Sequence, residues 1–436
     1  MVNMTKSIGW IVGSALLTLA LACTEEDQGL DASGVDLGID SGVASDSGII
    51  LDSGRADLGS TDLGPLDADV IDAFIVDAAA SDSGPLLDSG CVASRTAASP
   101  QYLALAEPGR PRTFHAAERL PNGQVLLAGG YSDGLDFDPD VEIFDPNTDT
   151  ITAGAPRPLQ PVYAAAVPLS DGRIFVSSGP GRPALIYDQA GGWTRTATAP
   201  ELFTDTFVPL PNNRVLVVGG LDQVGSSDEV HLYDPASDTW SLLLHMHVPR
   251  LNPAAVVLDD GRIFAIGGAA GPNMGINTTE FIDVVTATST PGPMLLETRI
   301  DPSAVLLLDR RVLILGGEPL AGLPSEIYAP ATGAFEAVQG TTPPNKVGAP
   351  LVRLCDGRVA QVGGRMGNSP FADSPAWLFD PEVSRWSATT ASMPTRQSPS
   401  ATLLLDGRVL VFGGSVLGNG PQPLSAYLFV PNVPPR

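Results

Sequence analysis

Seven times between residues 121 and 414 the chain repeats one short unit: PNGQVLLAGG, SDGRIFVSSG, PNNRVLVVGG, DDGRIFAIGG, LDRRVLILGG, CDGRVAQVGG and LDGRVLVFGG. Their final glycines are Gly130, Gly179, Gly220, Gly268, Gly317, Gly364 and Gly414, spaced by 49, 41, 48, 49, 47 and 50 residues. A unit of this size cannot bury its own apolar face, so it must stack on its neighbours in a single architecture. Most units turn on Asn-Gly or Asp-Gly, which supplies the positive φ angles of a tight hairpin. An apolar strand such as PAAVVL (253–258) precedes the turn, and the strand after it is apolar throughout, as expected of a strand buried on both faces. The paired glycines let backbones approach where a Cβ would clash.

A third strand then ends in Phe144, Tyr187, Tyr233, Ile282, Tyr328, Phe379 or Phe429, followed by Asp in five of the seven units. A second large residue comes seven positions later at Ile151, Trp240, Phe335 and Trp386, and six later at Trp193. The 47 Gly and 40 Pro fit a turn-rich, strand-rich chain and argue against a helical bundle. The formal charge of −25 argues against nucleic acid as a partner, because phosphate binding needs a basic face.

The double glycine, the Tyr-Asp-Pro and the spaced Trp, most clearly in YDPASDTW (233–240) and LFDPEVSRW (378–386), resemble the kelch repeat across residues 100–436. The second unit departs most, with Ser178-Gly179 for the glycine pair, and the fourth lacks both aromatics. The resemblance implies an all-β, seven-bladed β-propeller of four-stranded blades over 91–436. The seventh unit has no room for its outer strand, since Phe429 lies seven residues from the end. QYLALAEPGRPR (101–112) reads like SATTASMPTRQ (387–397), the end of a fourth strand and the link to the next first strand. An N-terminal strand is therefore expected to complete the last blade and remove the open edges of the ring.

Ahead of the repeats, residues 1–22 read as a signal peptide, with Lys6 before an apolar run from Ile8 to Ala22 that is too short to span a bilayer. LALAC resembles the lipobox of bacterial lipoproteins, with Ala20 where Leu is preferred. That implies acylation at Cys23, and Thr24 after it resembles outer-membrane sorting. The other reading is an ordinary cleaved signal with an incidental Cys. Residues 23–90 form a low-complexity tether: 14 Asp and 2 Glu against Arg55 alone over 24–90 give that stretch −15 of the total charge. Calcium binding by its Asp-x-Gly steps is the competing reading. The expected address is the cell envelope, an outer-membrane lipoprotein held by its lipid anchor alone, surface-exposed or periplasm-facing, with a monomeric propeller.

Several constellations are candidates for chemistry, each beside a plainer reading. Arg112, Arg157, Arg250, Arg299 and Arg396 precede first strands and Arg365 follows a glycine pair; gathered at one rim they suit a carboxylate ligand, or else brace adjacent blades. Asp133, Asp136, Asp138 and Asp140 in SDGLDFDPD could hold Ca2+, or be a solvated acidic loop. With Cys23 acylated, Cys91 and Cys355 remain as a disulfide pair in an oxidising compartment, or as two free thiols. Galactose-oxidase-like propellers are similar in appearance, but their copper site does not transfer onto His115, His231, His245 and His247, of which His245 and His247 read as strand-edge packing. The long loops after the glycine pairs differ strongly, and loops on a rigid ring are where function concentrates. The expected function is a non-catalytic binding or interaction module for a protein or glycan, with no cofactor beyond that calcium reading. The alternative is a carbohydrate-active propeller enzyme, a sugar epimerase resembling kelch sialic-acid mutarotases or an oxidase-like protein. A purely structural envelope component is a third class.

Overall fold

The computed structural model describes residues 95, 97–106, 109–110, 112–130, 141–159, 165–203, 206–271, 274–317, 323–344, 349–364, 373–396, 398–414 and 426–432. They form seven antiparallel four-stranded sheets, each an up-and-down meander. Six sheets take four consecutive strands; blade 1, for example, runs Ala116–Arg119, Val125–Ala128, Val141–Asp145 and Thr150–Ala153. The seventh takes Ser400–Leu403, Val409–Phe412 and Ala426–Val430 from the chain's end and Gln101–Ala104 from its beginning. The expected closure is present: Tyr102 pairs with Phe429 and Ala104 with Tyr427 in an antiparallel ladder. The expected signal peptide, the acylation at Cys23 and the 23–90 tether lie outside the described residues. Among the described residues no helix is long and apolar enough to cross a membrane.

The second strand of every blade is buried at all its residues, as VLLA, VLVV, VLIL and VLVF require. The apolar clusters lie between neighbouring sheets. One joins Val305, Leu313 and Ile327 of blade 5 to Leu351, Val359 and Phe379 of blade 6. Another joins Leu404, Leu410 and Phe412 of blade 7 to Val125, Leu127 and Phe144 of blade 1.

The turns explain the rest of the repeat. In the first hairpin Gly123, Gly172, Gly261, Gly357 and Gly407 all have φ between 82° and 90°, which only glycine takes without strain. The aspartate before that glycine accepts the amide two residues on, as Asp406 does from Arg408, and its second oxygen accepts from the same arginine's Nε. The aspartates ending the third strands cap the outer turn in the same way: Asp145, Asp188, Asp234, Asp283 and Asp380 each accept the amide at i+2. The spaced aromatics face each other across that hairpin, with Tyr233 opposite Trp240 (ring centroids 5.1 Å) and Phe379 opposite Trp386 (5.3 Å). In blade 7 the partner is Tyr102, 5.2 Å from Phe429, so the N-terminal strand supplies the aromatic missing from the C-terminal unit. Blade 4 pairs Ile282 with Ser289 there and stacks Phe281 on Phe264 instead, at 4.7 Å.

Candidate functional site

Antiparallel meanders put the glycine pairs, the loops that follow them and the links between blades at one end of the sheets. The arginines before the first strands lie at this rim, and most are turned inward. Arg112 donates from Nη1 to the carbonyl of Gly129 (3.1 Å) and from Nη2 to Glu142 (2.7 Å). Arg250 repeats the arrangement with Gly267 (2.9 Å) and Glu280 (3.0 Å), and Arg299 with Gly316 (2.6 Å) and Glu326 (2.8 Å). Arg396 donates to Gly413 (2.8 Å) and stacks on Tyr427, its guanidinium carbon 5.0 Å from the ring centroid. Burial lowers its pKa to about 10.

The same residues tie one blade to the next through their backbones. Gly220 of blade 3 donates its amide to the carbonyl of Arg250 (2.8 Å), Gly268 of blade 4 to Arg299 (2.9 Å) and Gly414 of blade 7 to Arg112 (2.9 Å). A Cβ on Gly219 would lie 2.3 Å from the Arg250 oxygen, and one on Gly413 2.3 Å from the Arg112 oxygen. The close approach of these carbonyls is therefore what the paired glycines make room for. The carboxylates of Glu280 and Glu326 are buried with their arginines, which is tolerable because both oxygens of each accept hydrogen bonds. Burial alone would raise Glu280, but the His247 amide, the Ser289 hydroxyl and Arg250 hold it below its usual value. The brace reading of Arg112, Arg250, Arg299 and Arg396 thus accounts for their geometry, whereas a rim of displayed guanidiniums does not. Arg157 is buried without such a partner, and Arg365 lies outside the described residues.

Three histidines are each tied to a carboxylate. His231 Nε2 meets Glu229 at 2.8 Å, His245 Nδ1 meets Asp228 at 2.9 Å and His247 Nδ1 meets Glu280 at 3.1 Å. His245 and His247 thus serve different blades, and the bond to Asp228 raises the pKa of His245. His115 is buried between blades 1 and 7, with Nε2 2.8 Å from the Ser400 hydroxyl and its ring edge-on to Phe412 at 5.0 Å. Burial, reinforced by Arg112, lowers its pKa to about 3. Among the described residues no three His, Cys, Asp or Glu are placed to hold a metal ion. Asp133, Asp136, Asp138 and Asp140 lie outside them, as do Cys23 and Cys91. Cys355, in the first turn of blade 6, is disulfide-bonded.

Two loops at the rim carry side chains that the sequence reading did not single out. In blade 3 Leu221 bridges Phe203 and Ser226, and the Asp222–Gly225 turn is held by Asp222 accepting the amides of Val224 and Gly225. Val224 stands at its tip, 94% exposed. In blade 4 Ala269 bridges Leu251 and Gly275, and Met274 at the next tip is 62% exposed. Met294 and Leu296, in the link to blade 5, are exposed as well. The signal that could have found these tips is an apolar residue inside a Gly-rich loop.

With this geometry in hand, the comparisons with known proteins align with the repeats. The kelch motif family matches residues 208–243, the stretch that builds most of blade 3. The chain carries kelch repeats folded as a seven-bladed β-propeller. Mouse Kelch-like protein 35 is 30% identical to this kelch propeller over 174 residues, 38% of this chain and 29% of the mouse protein. The Kelch-like protein terF of Aspergillus terreus is 32% identical over 90 residues, 19% of this chain and 20% of the fungal one. The kelch propeller therefore aligns with less than a third of either relative's length. Among solved structures, a fungal alcohol oxidase of the AA5 family in complex with copper superposes with a TM-score of 0.59 at 17% identity, covering 78% of this chain and 77% of that one. At that identity the likeness is one of fold.

Proposed function

We propose that this chain is a non-catalytic binding module for a protein or glycan, displayed on the cell envelope by a lipid anchor at Cys23. The observation that carries the reading is the division of labour at the loop rim. Arg112, Arg250 and Arg299, with their glutamates, and Arg396 are spent on bracing the blades. Three of the four histidines are tied to carboxylates. Among what the rim presents outward in blades 3 and 4 are four apolar side chains, Val224 and Met274 on hydrogen-bonded tips and Met294 and Leu296 in the link to blade 5. Exposed apolar side chains on rigid loops are the material of a contact surface. The Kelch-like relatives and the kelch motif support a module of this kind. The copper alcohol oxidase shares the fold, and fold alone assigns no chemistry.

The test is a photo-crosslinking amino acid placed at Val224, at Met274 and, as control, at Val383 in an outer turn on the opposite rim, in the full chain on cells. Crosslinks to the same protein or glycan from the first two positions and none from the third are expected. Equal labelling from all three, or none from Val224 and Met274, would sink the reading. Labelling of the intact protein with radioactive palmitate, lost in Cys23→Ser, tests the anchor.

A further inference from the structure

Arg157 stands apart from the other arginines of the rim. It is 7% exposed, and its Nε, Nη1 and Nη2 are each buried with no hydrogen-bond partner. Its only ring neighbour among the described residues is Trp193, 5.5 Å from the guanidinium carbon to the centroid. Trp193 is itself fixed, its Nε1 donating to the carbonyl of Ala155 (2.9 Å) and its ring 4.8 Å from that of Tyr187. Burial, reinforced by the neighbouring cation Arg112, brings the pKa of Arg157 down to about 9. Arg112 already has Glu142 and the Gly129 carbonyl.

Blade 2 has nothing equivalent to offer. The glutamates that neutralise Arg112, Arg250 and Arg299 stand two residues before the third-strand aromatic or Ile, and in blade 2 that place is taken by the buried Leu185. Ser178, in place of the first glycine of the pair, adds a second buried polar group without a partner, its hydroxyl. A buried cation with unspent donors and no counter-charge is among the costliest things a fold can hold, and the neighbouring blades show the cost being met by a carboxylate.

We infer that Arg157 is the anchor of an anion site at the seam of blades 1 and 2, and that it takes the carboxylate of a small acidic sugar. The chemistry follows from the donors. A single planar guanidinium matches a planar monoanion in bidentate fashion, whereas a phosphate dianion would call for further cationic donors. The fixed indole beside it suits the face of a sugar ring. The site lies away from the apolar tips of blades 3 and 4. The inference rests on the glycan branch of the function proposed above, and narrows it to uronic-acid chemistry.

The experiment is a titration of the full chain with D-glucuronate, D-glucose and propionate, read by tryptophan fluorescence and by Tm. Saturable quenching or enhancement with glucuronate is expected, with a Tm rise of about 5 °C at a hundredfold excess over Kd. Glucose should do nothing, and propionate should need far higher concentrations. Arg157→Met should abolish both responses while leaving the Tm of the unliganded chain equal or higher, because it removes an unpaired buried charge. Trp193→Phe should remove the optical signal and keep the Tm shift. Equal responses to glucose and glucuronate would overturn the anion site, and equal responses to propionate would overturn the sugar. If Arg157→Met instead lowers Tm, and does so non-additively with Asp133, Asp136, Asp138 and Asp140 all changed to Asn, the counter-ion is the chain's own loop and the inference fails. Crosslinking at Val224 and Met274 is independent of all these outcomes, so the loss of this site leaves the binding-module reading standing on its own test.

Discussion

Gly414 donates its amide to the carbonyl of Arg112 at 2.9 Å, joining the last blade to the first. The Arg112 side chain then reaches back to the Gly129 carbonyl of its own blade. One residue thus clasps the glycine pairs of both blades, and Arg250 and Arg299 repeat the device between blades 3 and 4 and between blades 4 and 5.

The fully buried Arg299–Glu326 pair makes that device testable. Glu326→Gln leaves the guanidinium without its counter-charge, and a loss of about 3–5 kcal/mol is expected in denaturant unfolding. Replacing both partners by apolar residues, Arg299→Met with Glu326→Leu, should recover a good part of that loss. If the double variant is as unstable as the sum of the single ones, the two residues do not act as a pair.

Tyr102 is expected to carry much of the ring closure. Its ring lies 5.2 Å from Phe429 and 6.4 Å from Tyr427. Tyr102→Ala should cost about 2–3 kcal/mol, less than for a fully buried aromatic, and lower Tm by several degrees. Tyr102→Phe, which keeps the ring, should stay much closer to the parent. Equal losses in the two variants would mean that the ring is not what holds the strand.

His115 should set a pH dependence of stability above the range where carboxylates titrate. Its imidazole titrates near pH 3 in the fold against 6.5 when free, so between those values unfolding takes up a proton. Stability is complete above pH 6.5 and is lost as pH falls below it, at up to about 1.4 kcal/mol per pH unit. His245, raised by Asp228, works in the opposite sense, but it is exposed and its contribution is small. In His115→Gln the slope of Tm between pH 6.5 and 4.5 should flatten, although the variant starts lower at pH 7 for want of the packing on Phe412. Parallel slopes would clear His115 of the effect.

Cys355 is bonded to one of the two other cysteines, and Cys91 is the expected partner. The Arg95 amide donates to the carbonyl of Asp406, in the blade 7 turn that corresponds to the Cys355 turn of blade 6. Arg358, three residues after Cys355, reaches the carbonyl of Asn432 just beyond blade 7's third strand. From residue 95 four extended residues reach about 13 Å. Peptide mapping without reductant should find Cys91 linked to Cys355, and reduction should cost about 2–4 kcal/mol. Two thiols alkylated without reductant would refute the pairing.

The ring was legible because its signals are local. A hairpin glycine, an aspartate two residues before the amide that it caps, and an aromatic seven positions from its partner are all read within ten residues. The closing strand was legible from a shortfall, since blade 7 ended without its fourth strand. The direction of the arginines was left between a displayed rim and a brace, although the regularity that decides it was present: Arg112, Arg250, Arg299 and Arg396 each bond the first glycine of their pair, 17 residues on. The glutamates that meet three of them stand two residues before an aromatic or Ile, a spacing that means nothing until the sheet register places both beside the same glycine carbonyl. Arg157 breaks the 17-residue rule, and only its surroundings in space show it to be different.

Both other cysteines of the chain precede Gln101, so the disulfide at Cys355 ties the chain to blade 6 before the closing strand begins. A pull from the N-terminal side would otherwise peel Gln101–Ala104 from Val430 to Tyr427 one residue at a time, the weakest way to load a ladder. With the crosslink in place that force enters at the inner turn of blade 6 and bypasses the strand. A domain hung from a membrane by its first residues would then bear shear from the surrounding fluid without its ring being unzipped.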